Sequence, residues 1–154
     1  MVTLYGVLLF LHVLGAILWI GAHSSSIALR LLAVRSGDRA RAIATVVDTA
    51  RLGLYLIAPG VLLVLGSGFG LVHEGRWGYD HFWIQLGLAG FVVSNAIAGA
   101  FYPRSKKALE AAAKRGAADE PEARAVFRRL QIASLADLTV LVGIVFVMAT
   151  KATV

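Results

Sequence analysis

Cysteine is absent from these 154 residues. That excludes a disulfide framework, a thiolate metal site and a cysteine nucleophile, and it leaves cysteine usage silent on compartment. Acids are scarce, nine Asp and Glu against fifteen Lys and Arg, and proline occurs three times. Also missing are a glycine-rich phosphate loop, a His-Glu pair at zinc-site spacing and a credible serine triad. Ser24, Ser25 and Ser26 are consecutive, so on a helix they point in different directions, and they read as structural. What the chain has in excess is apolar surface: 58% of its residues are hydrophobic and its mean hydropathy is +0.77. A soluble domain of this length is far more polar, so the solvent implied is lipid.

A helix crosses the hydrocarbon layer with about 20 mainly apolar residues, and four runs meet that length. They cover roughly Leu4 to Leu29, Leu52 to Val72, Phe82 to Tyr102 and Leu130 to Thr150. Arg30 closes the first, Arg51 opens the second, Pro103 stops the third and Lys151 stops the fourth. The only acid inside any of them is Asp137. The first run lacks an early basic segment and is too long for a signal peptide. The chain therefore reads as all-α: one transmembrane domain over residues 1–154, an up-down four-helix bundle.

Thirteen of the fifteen basic residues flank the first and third connections, residues 30–51 and 103–129. Only Arg76 lies between the second and third runs, and only Lys151 follows the fourth. Because cytoplasmic loops carry the Lys and Arg excess, both termini are expected outside, in the plasma (inner) membrane of a bacterium. The basic residues alternate with hydrophobic runs instead of lining one polar face, which argues against nucleic acid as a partner. Ser105 to Ala118 reads as a short basic amphipathic helix that either lies against anionic headgroups or is a solvated linker. Trp77, Tyr79 and Trp83 suit an interfacial aromatic belt. No second folded unit is expected outside the membrane.

Glycines mark where helices approach closely or leave room for a flat ligand: Gly66 and Gly68, Gly87 and Gly90, and Gly143 fall at the depth of His12 in the outer half. Ionisable groups in hydrocarbon are costly and need partners. At about 1.5 Å of rise per residue, His23 and Asp137 lie at similar depth, seven residues from the inner ends of their runs. Asn95 and Pro59 fall in the same layer. A His23–Asp137 pair is either a structural hydrogen-bonded pair or a proton relay. His12 shares a helix face with His23, eleven residues away, but at about 16 Å along the axis the two cannot hold one metal ion. His12 points into a layer poor in side-chain volume, which suits a haem; the alternative is a histidine satisfied by a backbone carbonyl or a neighbouring hydroxyl. Met148, His73, His81 or His12 of another subunit are the candidates for a second ligand.

The stretch Leu11-His12-Val13-Leu14-Gly15-Ala16-Ile17-Leu18-Trp19-Ile20-Gly21 resembles the first helix of small four-helix membrane proteins grouped with the copper-resistance protein CopD and the HemJ-type protoporphyrinogen oxidases. An uncharacterised integral membrane family related to them has the same pattern, with a Trp-bearing outer loop leading into the third helix, over nearly the whole chain. The resemblance implies haem ligation for His12 and for no other residue. Where HemJ-type chains carry an asparagine-bearing polar motif entering helix four, this sequence has Arg128-Arg129-Leu130-Gln131 and then Asp137.

Two functional classes follow. One is a membrane protein binding haem b, with His12 as metal ligand, Gly66, Gly90 and Gly143 making room, and His23 with Asp137 as catalytic proton partners. Such a protein carries electrons or oxidises a porphyrin-like substrate, as a HemJ-type oxidoreductase does. The other is a proton or copper-type metal-ion transporter or channel subunit using His12, His23 and Asp137 as stepping sites. With four helices it would form a pore only as a homodimer or higher oligomer. A cofactor-free structural subunit is the bland alternative.

Overall fold

The computed structural model describes residues 3–151, apart from the side chains of Leu52 and Leu54. Every regular element in it is helical: α1 (Leu4–Arg35), α2 (Arg39–Leu52), a π-helical turn (Gly53–Ile57), α3 (Ala58–Glu74), α4 (Phe82–Lys114) and α5 (Pro121–Thr150). Four continuous helical stretches are long and apolar enough to cross a membrane: Leu4–Arg35, Arg39–Glu74, Phe82–Lys114 and Pro121–Thr150.

The ends of these helices have local causes. Thr3 caps α1, its hydroxyl accepting from the Gly6 N–H at 3.1 Å. Asp38 caps α2 by accepting from the Arg41 N–H at 2.9 Å, which satisfies a donor the first turn leaves free. Gly37 and Gly116 take the left-handed φ values of 77° and 68° that turn the chain between helices. Pro121 sits at the start of α5, where its missing N–H costs nothing.

The helices are longer than the apolar runs. α1 continues five residues past Arg30, α4 runs through Pro103 for another eleven, and α5 begins nine residues before Leu130. Residues 39–52, in the first expected loop, are helical and lead through the π turn into α3. The one-residue insertion of a π turn just before Pro59 gives the chain slack where the ring cannot accept the ordinary helical geometry. The helix expected over Ser105 to Ala118 is thus the end of α4, which stops at Lys114, and not a separate element. Beyond the apolar spans the same helices build a second core: Ala33 of α1, Ala42, Ile43 and Val46 of α2, Leu109 and Ala112 of α4, and Phe127 and Leu130 of α5. No separate folded unit exists there among the described residues, but the bundle itself extends past the membrane-length segments.

α1 packs chiefly on α3, and α4 on α5, while α1 touches α5 and α2 touches α4. α3 and α4 scarcely meet. The α1–α3 crossing is close because neither side has a Cβ at its centre. A Cβ on Gly15 would lie 2.8 Å from the Gly60 carbonyl oxygen, and one on Gly60 would lie 2.8 Å from that of Gly15. The outward surface is apolar: Phe10, Ile17, Leu62, Val92 and Phe146 are all more than 60% exposed. For a chain with this surface that face belongs to lipid.

Candidate functional site

Along α1 the inward stripe reads His12, Gly15, Trp19, His23, Ser26, Arg30. Spacings of three, four and seven keep these residues on one helix face. Two polar sites lie on this stripe, separated by Trp19, whose ring meets Phe91 edge-on at 5.6 Å.

The first site is a cavity of about 200 Å³ toward the end that holds the tryptophans. Its walls include Trp19, Trp77, Trp83, Phe91, Val64 and Ile144, with His12, Met148, Lys151 and the phenols Tyr5 and Tyr79 also in the lining. Trp77 and Trp83 meet edge-on at 5.1 Å, and the Lys151 ammonium sits 4.8 Å over the Trp77 ring. Trp83 is buried. Of the aromatic belt expected from the sequence, Tyr79 is 52% exposed and Trp77 is half-buried, and all three residues line the cavity. Ser67 Oγ donates to the Leu63 carbonyl, so it accepts from His12 Nδ1–H at 3.2 Å. That contact places the ring proton on Nδ1, and the ring has the Val64 carbonyl as a further hydrogen-bond partner.

Of the five glycines expected at the depth of His12, two line this cavity and three do not. Gly66 and Gly143 are exposed, with nothing within 4 Å of a Cβ added to either. A Cβ on Gly90 would instead press on Ile144, which makes it part of the α4–α5 seam. Gly68 and Gly87 line the cavity. A Cβ on Gly68 would meet the His12 ring at 3.2 Å, and one on Gly87 would strike Met148. His73 and His81 are exposed and do not line it, so Met148 is the one second-ligand candidate of this chain that does.

The second site is a buried polar network where α1, α4 and α5 meet. His23 Nε2 donates to the Ser134 carbonyl at 3.1 Å and lies 3.6 Å from Asp137 Oδ2. The expected His23–Asp137 pairing is present, and both residues are at most 3% exposed. Asp137 Oδ1 accepts from Ser94 Oγ at 2.5 Å. Ser134 Oγ donates to the Leu130 carbonyl at 2.8 Å and accepts from Tyr102 at 2.9 Å and from Arg30 Nη2 at 3.0 Å. Tyr102 also lies 3.4 Å from His23 Nδ1.

Two expected members of this layer are elsewhere. Asn95 is exposed and donates to its own helix at the Phe91 carbonyl, 2.8 Å away; Pro59 is exposed as well. Ser94, one residue earlier, takes the inward place. Arg30, expected at the helix end in water, is only 2% exposed, and its Nε has no partner among the described residues. The sequence held one signal for the missed residues. Ser134 is one turn before Asp137, and Arg30 is two turns past His23, so each shares a face with a residue already singled out. Among the described residues no three His, Cys, Asp or Glu side chains gather into a group that could hold a metal ion.

The family model described as Predicted integral membrane protein (DUF2269) matches residues 6–152. The chain belongs to that family. No curated protein and no solved structure matches it. The match of the DUF2269 family spans all four membrane-length helices, both polar sites and the water-side core.

Proposed function

We propose that this is a multi-pass plasma-membrane protein, with both termini outside, whose tryptophan-lined cavity binds b-type haem through His12. The observation that carries the reading is the setting of His12: Ser67 accepts from its Nδ1–H, and the ring lines an aromatic cavity. A metal-binding histidine is oriented in the same way, by a hydrogen bond at its other nitrogen. The fit is supported by three further features. Met148 brings a thioether to the same cavity, a known axial ligand type opposite histidine. Gly68 and Gly87 keep the space beside His12 and Met148 free of Cβ atoms. Lys151 puts a cation in an otherwise apolar lining, suited to a carboxylate on the ligand. The enclosed space of about 200 Å³ is below the roughly 300–1,000 Å³ of sites for drug-sized molecules. A tetrapyrrole would therefore extend beyond the enclosed space.

A haem in this place supplies one-electron chemistry. The residues of the chain do the rest: His12 ligates, Trp19 and Phe91 close the floor, and aromatic walls exclude water. His23 and Asp137, on the far side of Trp19, lie in a buried hydrogen-bonded network tied to Tyr102. That arrangement suits a redox carrier or a porphyrin-oxidising enzyme of the HemJ type, to which the first helix bears resemblance. The test is spectroscopic. Protein made under haem-replete conditions and purified in mild detergent is expected to show a Soret band that His12→Ala weakens. A colourless wild-type preparation overturns the reading.

A further inference from the structure

The remaining unexplained feature is the distribution of charge at the end opposite the tryptophans. Asp119 pairs with Arg39 at 3.8 Å and Arg124 at 3.6 Å, and Glu110 pairs with Lys114 at 3.6 Å. All of these lie beyond the membrane-length apolar runs. Arg51, Arg104, Arg128 and Arg129 are exposed, and none has an acid within 4 Å among the described residues. Asp48, one turn from Arg51, makes no ion pair either.

Their height along the bundle is fixed by helix rise. Counting about 1.5 Å per residue, Arg104 lies about 33 Å from Phe82, Arg129 about 32 Å from Thr150, and Arg51 about 35 Å from Glu74. The contacts Ser94–Asp137 and Tyr102–Ser134 set α4 and α5 in a register that brings Arg104 level with Arg128 and Arg129. The hydrocarbon layer is about 30 Å thick. Arg51, Arg104, Arg128 and Arg129 thus form one belt just past its edge, at the depth of lipid phosphates; Arg35, Arg41 and Arg115 are exposed and make no ion pair among the described residues either, but lie farther along their helices. The adjoining surface toward the membrane is apolar and exposed: Leu29, Phe101, Ile132 and Leu135. Acyl chains against that surface put their headgroups on the belt.

We propose that the belt of Arg51, Arg104, Arg128 and Arg129 binds the headgroups of anionic phospholipids. Guanidinium groups match phosphate with two parallel N–H donors, and the absence of nearby acids leaves those donors for the lipid. The more distant Arg39, Lys114 and Arg124 are matched within the protein and stay out of this role. This inference rests on charge placement and is independent of what fills the cavity.

The full chain reconstituted in nanodiscs containing phosphatidylglycerol and phosphatidylcholine in equal parts, then released into detergent for native mass spectrometry, reads the preference directly. The wild type is expected to retain phosphatidylglycerol over phosphatidylcholine. Each belt arginine replaced by glutamine is expected to lower that ratio about fivefold, the effect of one basic residue near an anionic surface. The quadruple Arg→Lys variant controls for folding and is expected to keep a preference. Arg39→Gln with Arg124→Gln is expected to leave the ratio unchanged. Equal retention of the two lipids by the wild type overturns the proposal, as does a loss produced equally by the Arg39/Arg124 pair.

Discussion

Ser134 is a small side chain that holds two large ones. Its hydroxyl spends its proton on the Leu130 carbonyl and accepts from both Arg30 and Tyr102. Ser134→Ala leaves two buried donors without that acceptor, at about 1–3 kcal/mol for each buried group left unpaired, and is expected to lower the unfolding midpoint in detergent. Asn95→Leu, at an exposed position bonded only to its own helix, is expected to change stability by less than about 0.5 kcal/mol. A fall for Asn95→Leu as large as that for Ser134→Ala would overturn the assignment of the buried layer. Ser67→Ala tests the cavity: the hydrogen bond that orients the His12 ring is lost, and haem affinity is expected to fall about 10–100-fold by absorbance titration. His23 and Asp137 were legible as a pair because each is an ionisable residue in an apolar run and depth could be counted. Ser94, Ser134 and Tyr102 were not, since serine and tyrosine cost little in a membrane helix and carry no charge to demand an explanation. Arg30 was misread for the opposite reason. A cation bounding an apolar run ordinarily sits in water, and only the second core packed around this one shows that it does not.

At the scale of the element, hydropathy located all four long helices but not their ends. Residues 103–114 and 121–129 are rich in alanine, leucine, lysine, arginine and glutamate, which are strong helix formers. Their low hydropathy removed them from the apolar runs without making them loops. Pro103 looked like a stop, yet it sits exposed in α4, a helix supported on its other side by α5 and α2; tertiary packing outweighed the local penalty. Glycine was similarly ambiguous, because composition cannot say which glycine faces a neighbour. The structure separates them, and substitution checks the separation. Gly15→Leu or Gly60→Leu drives a side chain into the opposing backbone, which cannot rotate away, and is expected to cost at least the roughly 1–3 kcal/mol of overpacking. Gly66→Ala and Gly143→Ala meet nothing within 4 Å and are expected to be neutral or stabilising by up to about 1 kcal/mol through helix propensity. Thermal unfolding of the four variants in one detergent decides between the two groups.

For the whole molecule, the two polar sites and the two ends form one polarised axis. The cavity lies toward the tryptophan end, the buried network toward the basic end, and Trp19 stands between them on the same face of α1. The proposed direction of this axis across the membrane rests on charge. A chain whose Lys and Arg crowd one end is held with that end in the cytoplasm, and here the water-side core of α1, α2, α4 and α5 adds a folded surface that would have to be translocated otherwise. The absence of cysteine makes the direction measurable, since each introduced thiol is the only one present. Ser36 and Asp80 are exposed at opposite ends of the bundle. In intact cells a membrane-impermeant maleimide is expected to label Asp80→Cys and to reach Ser36→Cys only after permeabilisation. The reverse pattern would invert the topology and place the cavity on the cytoplasmic side. It would leave the His12 tautomer and the Arg30–Ser134–Tyr102 network as they are, because those depend on helix register and not on the direction of insertion.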